Sequence, residues 1–299
     1  CFRRHGHNEA DDPTLTQPLM YAKVKQHPGT RALFAKQLIA EGVITAEDET
    51  NLVENYRNGL VKGEHVNKDK MIALPRYDYD TKAFLKAKVS DEVKTKISKK
   101  KLQELGTKVT IKPEGEFKLH PTVAKLADNR LAMAEGKQPI DFGMAETLAY
   151  AANLDEGISI RISGEDACRG TFTHRHAVWH DIGRKKLHAG LYTPLQNTQN
   201  NSWFEIYDSV LNEECVLGFE YGYSLAAVND ITVWEAQFGD FANGAQVMID
   251  QFIISGEAKW GSLSRLVLML PHGYDGQGPE HSSARIERFL QLAAENNIV

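Results

Sequence analysis

The sequence predicts an α/β fold, a parallel β-sheet flanked by helices over residues 138–299, preceded by a helical connector region. Three observations predict it. Short apolar runs alternate with helix-length segments in the second half of the chain. In the first half, apolar residues recur at three- and four-residue spacing. Charge also separates the halves: residues 1–137 carry 25 Lys and Arg against 19 Asp and Glu, a balance of +6, whereas residues 138–299 carry 10 against 21, a balance of −11. Two regions with different jobs are expected.

In the first region, Pro28-Gly29-Thr30 opens a helix with Leu33, Phe34, Leu38 and Ile39 on one face, ending near Gly42. Thr45, followed by Asp48 and Glu49, starts another, with Leu52, Val53 and Tyr56 apolar. A loop follows over about Gly63 to Tyr79. Leu85, Val89, Val93 and Ile97 then recur every four residues, and Leu102 and Leu105 continue the stripe, so residues 82–105 are expected to be helical and to stand apart from the sheet. Lysines 82, 86, 88, 94, 96 and 99–101 surround it. They read as the solvated face of an amphipathic helix. No aromatic platform is interleaved with them and the whole chain is acidic, so no nucleic-acid partner is expected.

In the second region, Gly143–Asn153 reads as a helix and Ile158–Ile162 as a strand. Phe204–Tyr207, Ile231–Trp234 and Leu266–Leu270 are further strands, with helices over about 213–227 and 243–254 between them. Strands alternating with helices make a parallel sheet with helices on its faces. Ligands bind such sheets beyond the carboxyl ends of the strands. The residues there are Gly164-Glu165-Asp166, Glu235-Ala236-Gln237-Phe238 and Pro271-His272-Gly273.

Composition bounds the class. The 299 residues are 42% hydrophobic and 25% charged, with mean hydropathy −0.41. That is globular, not disordered or collagen-like. Apolar runs such as Leu266–Pro271 fall far short of the ~20 residues of a membrane helix, so no membrane partner is expected. Cys1, Cys168 and Cys215 are too few for a disulfide framework, which points to a reducing compartment. The chain opens on Cys1 without a basic-then-apolar leader, and its simplest reading is a piece of a longer protein.

The histidines cluster: His5 and His7; His174, His176 and His180; His272 and His281. The spacing H-x-H-x3-H admits a structural zinc site, although Arg175 between two ligands is awkward and no cysteine pair assists. The other readings are surface or capping histidines, or one polar site that needs proton donors and acceptors. Gly273, Gly276 and Gly278 follow a strand but fit neither a dinucleotide nor a P-loop pattern, leaving a functional loop or a plain turn. Glu213 and Glu214 open a helix, where acids either complement the macrodipole or hold a proton for a heteroaromatic ligand. Phe238 and Phe241 are either an aromatic wall or core packing.

Longer strings carry a resemblance. Cys1-Phe2-Arg3-Arg4-His5-Gly6-His7-Asn8-Glu9-Ala10-Asp11-Asp12-Pro13 is one, followed by Thr16-Gln17-Pro18-Leu19-Met20-Tyr21. Gly164-Glu165-Asp166 with Arg169-Gly170-Thr171-Phe172 and His174-Arg175-His176-Ala177 is another. The rest are Trp234-Glu235-Ala236-Gln237-Phe238-Gly239-Asp240-Phe241-Ala242-Asn243-Gly244-Ala245, Leu270-Pro271-His272-Gly273 and Gly276-Gln277-Gly278-Pro279-Glu280-His281-Ser282-Ser283. In this order they resemble, from end to end and most weakly between about 60 and 120, the decarboxylating dehydrogenase component of the 2-oxoglutarate dehydrogenase complex, of bacterial type. Ala167-Cys168 departs from the small residues, often Ser-Gly, that the family carries there.

The resemblance implies an oxidoreductase with thiamine diphosphate and Mg2+, which decarboxylates 2-oxoglutarate and passes the succinyl group to a lipoyl-bearing succinyltransferase component. The cofactor supplies the electron sink and the protein supplies orientation and proton handling. It further implies a homodimer, located in the bacterial cytoplasm or, in a eukaryote, the mitochondrial matrix. Residues 1–27 would be the tail of the diphosphate-binding domain, 28–137 the helical connector, and 138–299 a truncated transketolase-like pyrimidine-binding domain. The metal and diphosphate ligands are expected upstream of Cys1, and none is assigned within the chain. Carried over by position, Glu213 would hydrogen-bond the aminopyrimidine, with Phe238 and Phe241 lining that ring. His281 would face the substrate as proton donor. His7 and Arg3 would sit near the diphosphate, His174 and His176 on a loop near substrate, and Glu165 and Asp166 between the two active sites of a dimer. A pyruvate dehydrogenase or transketolase type, or a non-catalytic assembly module of the same fold, are the alternatives.

Overall fold

The computed structural model describes residues 2–8, 10–64, 84, 91–184 and 190–294. The chain divides into two compact units, Cys1–Ile72 and Ala73–Val299.

The first unit holds three helices, α1 (Pro18–Gln26), α2 (Thr30–Ala40) and α3 (Ala46–Val61). Tyr21, Val24 and Ala35 are buried. α3 begins where the sequence indicates: the Thr45 hydroxyl accepts from the Asp48 backbone N–H at 3.1 Å, and Asp48 Oδ2 accepts from the Thr45 backbone N–H at 2.8 Å. This reciprocal box satisfies two donors that a helix start leaves unpaired.

The second unit begins with α4 (Lys99–Lys108), α5 (Pro121–Ala134) and α6 (Phe142–Asp155). Of the helix expected over 82–105, the described residues are helical only from Lys99. Residues 91–97 carry no regular structure, and Leu85, Val89 and Lys82, Lys86 and Lys88 lie outside the described residues, as does most of the expected 63–79 loop. Val93, Thr95 and Ile97 are β-branched and helix-weak, and the Ser98 hydroxyl accepts from the Lys101 N–H at 3.2 Å, which starts the helix there. Nor does α4 stand apart. Leu105 and Val109 are sealed in one cluster with Met144 and Leu148 of α6 and with the sheet residues Ile160 and Ile162.

Then follow β1 (Ile160–Gly164), the two-residue strands β2 (Trp179–His180) and β3 (Leu191–Tyr192), β4 (Phe204–Asp208), α7 (Glu213–Ala226) and β5 (Ile231–Glu235). The chain closes with α8 (Gln246–Met248), which runs into a π turn over Ile249–Ile253, then α9 (Gly256–Trp260), β6 (Leu266–Met269) and α10 (Ile286–Leu292). The main sheet has the order β4-β1-β5-β6 and every pair in it is parallel. Ile160 faces Phe204 on one side and Ile231 on the other.

Apolar clusters pack on both faces of the sheet, although Arg161 and Ser163 interrupt β1 and Glu205 interrupts β4. Successive side chains point to opposite faces. Val233 of β5 therefore joins the cluster under α6 and α4, and Trp234 joins the cluster under α7 with Val216, Leu217 and Leu268. One ion pair crosses this second face: the Arg161 Nε donates to Glu220 of α7 at 2.8 Å, with Glu220 fully buried. The stretch expected to be helical over about 243–254 is helical with changing pitch: a 3-10 segment at Gly239–Ala245 leads into α8 and then the π turn.

Candidate active site

Three loops leave the carboxyl ends of β1, β5 and β6 and meet. Gln237 Nε2 donates to Asp166 Oδ2 at 3.1 Å, tying the first loop to the second. The Gly239 N–H donates to Pro271 O at 2.9 Å, and an ion pair joins Asp240 to Arg285. Within the third loop, the Gly273 N–H donates to Ser282 O and the Ala284 N–H donates to His272 Nδ1 at 3.0 Å. A cavity of about 520 Å3 opens where they converge, bordered by Phe142, Phe172, His174, Phe238, His272 and His281.

A chain of six rings runs along this cavity, all but Phe241 bordering it. Phe142 packs on His174 at 5.7 Å between centroids, His174 on Phe172 at 6.2 Å, and Phe172 on Phe238 at 5.8 Å. Phe238 then meets His281 at 4.8 Å, and His281 meets Phe241 at 5.4 Å. The last three contacts are T-shaped, the arrangement that ring quadrupoles favour. His281 is thus held between two phenylalanines, with its Nδ1 3.1 Å from Glu280 Oε1.

Beneath the rings lies a buried ionic cluster. The Arg175 Nε and Nη2 donate to the two carboxylate oxygens of Glu146 at 2.9 and 2.6 Å, Nη1 donates to Ala167 O at 2.8 Å, and Nη2 pairs with Glu235. The Arg130 Nη2 donates to the carbonyls of His174 and Arg175 at 2.9 and 2.8 Å. Tyr150 donates to Glu146 at 3.2 Å. Burial pushes the Glu235 carboxyl above its usual range, against the pull of Arg175. Burial and then the Arg175 charge hold the His174 imidazole below its ordinary value; burial and then Arg130 do the same for His176.

Of the residues singled out from sequence, the structure brings Phe238, Phe241, His281 and His174 together. Glu213 stands in the first turn of α7, partly buried beside Gly244, where a Cβ would sit 3.4 Å from its Oε2; it does not border the cavity. Glu214 is exposed. His176 has φ 42° and does not border the cavity either; its carbonyl accepts from the Trp179 Nε1 at 3.1 Å. Asp166 pairs with Arg169 at 2.8 Å and Glu165 is exposed. In the first unit, Arg3 and His7 are exposed, while Arg4, His5 and Lys25 border a separate cavity of about 690 Å3. Among the described residues no three His, Cys, Asp or Glu side chains gather into a metal-binding group, the 174–180 histidines included.

Sequence reasoning passes over Glu146, and it meets Arg175 and Glu235 without seeing that they pair with it. Their signal is a charge in an apolar setting: Glu146 within the apolar α6, Glu235 closing the run Ile231-Thr232-Val233-Trp234, and an arginine between two histidines. Such charges are buried only when paired.

Residues 138–299 match the family described as the transketolase pyrimidine binding domain, and residues 1–68 match the dehydrogenase E1 component family. The chain is 53% identical over its whole length to the 2-oxoglutarate dehydrogenase E1 component of Cupriavidus necator and covers 32% of that protein. It is 50% identical to the proteins of the same name from Haemophilus influenzae and Azotobacter vinelandii, over 99% and 100% of this chain and 31% of each of theirs. The chain thus spans about a third of the length of the curated relatives it matches. No helix among the described residues is long and apolar enough to cross a membrane.

Proposed function

The chain belongs, through residues 138–299, to the transketolase pyrimidine-binding domain family, and from that premise we propose that it forms part of a thiamine diphosphate enzyme that oxidatively decarboxylates 2-oxoglutarate and passes the succinyl group to a lipoyl-bearing partner. The observation that carries the reading is the aromatic wall at the carboxyl ends of β5 and β6, with His281 held between Phe238 and Phe241.

The residues fit the aminopyrimidine half of such a cofactor. A flat heteroaromatic ring needs apolar faces to stack on and a fixed carboxylate at its edge. Phe238 and Phe241 offer the faces. The 3-10 segment that carries Phe241 and Gly244 packs against α7, and Glu213 is the partly buried acid on that helix's first turn. The absence of a side chain at Gly244 leaves the Glu213 carboxylate unobstructed on that side. The described residues offer no cluster for Mg2+ and the diphosphate, and the proposal puts those ligands in the part of the relatives' length that this chain does not span. A homodimer and the bacterial cytoplasm belong to the same proposal.

When bound, thiamine diphosphate supplies a carbon nucleophile and an electron sink. This chain's residues handle position and protons. Glu213, on the first turn of α7, would be the carboxylate that hydrogen-bonds the pyrimidine ring edge. Phe238 and Phe241 orient the ring and exclude water. His281, held between Phe238 and Phe241, would face the substrate as proton donor.

The test uses the whole enzyme. Glu213→Gln should retain cofactor binding and slow hydrogen–deuterium exchange at the thiazolium carbon by about 10²–10⁴-fold. Glu214→Gln, about 100° around the helix, should leave that exchange near the unsubstituted rate. Equal exchange in Glu213→Gln and the unsubstituted enzyme would remove the assigned role.

A further inference from the structure

We propose that Arg175 is a positioning residue of this site: it holds the loop bearing Phe172 and His174 against the strand end that leads to Phe238, and it fixes His174 as a neutral imidazole with its proton on Nδ1. The inference rests on the reading of the cavity as a cofactor and substrate site.

One guanidinium joins three elements. It grips Glu146 of α6 through two nitrogens, the Ala167 carbonyl of the loop after β1 through a third contact, and Glu235 at the end of β5. The planar fork of an arginine serves several acceptors in fixed directions, which a lysine ammonium cannot do at the same span. The two sides it joins carry Phe172 and Phe238, whose rings meet at 5.8 Å in the wall of the cavity.

The His174 ring has a built seat. It lies over Gly170, where an added Cβ would come within 2.5 Å of its Cε1, and its carbonyl lies 2.3 Å from where a Cβ would stand on Gly143. Phe142 and Phe172 flank it. The ring sits between these neighbours, which set its protonation. Arg175 Nη2 lies 3.4 Å from His174 Nε2. A guanidinium only donates, so Nε2 must accept and the proton resides on Nδ1. Nδ1 is buried without a hydrogen-bond partner among the described residues. The groups facing the ring are Arg175, Glu146, Arg130 and His176. Glu146 Oε2, at 3.9 Å from Nε2, is beyond hydrogen-bond reach and does not reverse the assignment. His174 therefore presents a neutral ring to the cavity, and the wall keeps its charge constant around neutral pH.

The experiment reads each histidine separately in the whole enzyme, by the pH dependence of imidazole C2–H exchange followed by mass spectrometry. His174 should show a midpoint below about 6.5. In Arg175→Met, which removes the largest cationic neighbour and leaves Glu146 beside the ring, that midpoint should rise. Should Met prevent folding, Arg175→Lys keeps the cation but not the three-way grip. It should lower kcat by about 10²-fold while KM changes by less than about threefold. An ordinary His174 midpoint in the unsubstituted enzyme, no movement in Arg175→Met, or unchanged kcat in Arg175→Lys would each overturn the proposal. Absence of thiamine diphosphate binding with the His174 shifts intact would overturn the functional reading and leave the Arg175–His174 relation standing.

Discussion

His281 and Phe238 meet at 4.8 Å between ring centroids with their planes at 89°, although 43 positions separate them in the chain. Their loops follow neighbouring parallel strands, so the sheet alone brings them together. His281→Ala should reduce 2-oxoglutarate turnover by about 10²–10⁴-fold with little change in melting temperature. Phe238→Leu should remove three T-shaped contacts, with Phe172, Phe241 and His281, worth about 0.5–1.5 kcal/mol apiece. Steady-state kinetics and denaturant unfolding separate the two effects. Unchanged turnover in His281→Ala would exclude it from the site.

A pH effect follows from His174 and His176. Both are held below their ordinary value by burial, and next by Arg175 and Arg130 respectively. In the unfolded chain they bind protons from about pH 6.5 downward, while in the folded chain they resist. Stability is therefore complete above about pH 6.5 and is lost as pH falls through the folded values. Glu235, raised by burial, contributes the opposite slope, starting near the usual carboxylate range. The clean measurement is the change in melting temperature between about pH 7.5 and about pH 5.5, in the unsubstituted protein and in His174→Gln. The substitution should flatten the acid-side fall; an identical fall would refute the burial of a neutral His174.

The two described cysteines should differ in reactivity. The Cys168 thiol is pushed up to about 12 by burial and by Asp208, and Cys215 is exposed. A shift of that size lowers the thiolate fraction by about 10³-fold. Timed alkylation with peptide mapping near pH 8 should modify Cys215 first and leave Cys168 largely intact. Faster labelling of Cys168 would mean that its loop opens in solution.

Leu105 tests the placement of α4. Its side chain is fully buried in the cluster that includes Ile160 and Ile162. Leu105→Ala should cost about 2–5 kcal/mol in denaturant unfolding. Val93→Ala, at a residue 77% exposed, should cost less than about 0.5 kcal/mol. Similar small losses at both would return α4 to the status of a solvated helix.

Much of this protein is fixed locally and can be read in one dimension. The Thr45–Asp48 capping box and the Asn212 cap before Glu213 are contacts within one turn, so their residues announce them. The short strands β1, β4, β5 and β6, separated by helix-length segments, announce a parallel sheet, because parallel neighbours need long crossover connections. The long motifs around His174, Phe238 and His281 are equally visible in the chain, and three of the loops they occupy do converge. Tertiary structure alone decided the rest. The stripe from Leu85 to Leu105 has helical spacing throughout, yet its described part turns helical only from Lys99, where a cap and a sheet to pack on coincide. Arg175 looks out of place between two histidines until Glu146, Ala167 and Glu235 arrive from three separate elements to surround it. A buried charge is tolerated only when its partners are complete, and partners 29 and 60 residues away leave no pattern in the sequence beside it.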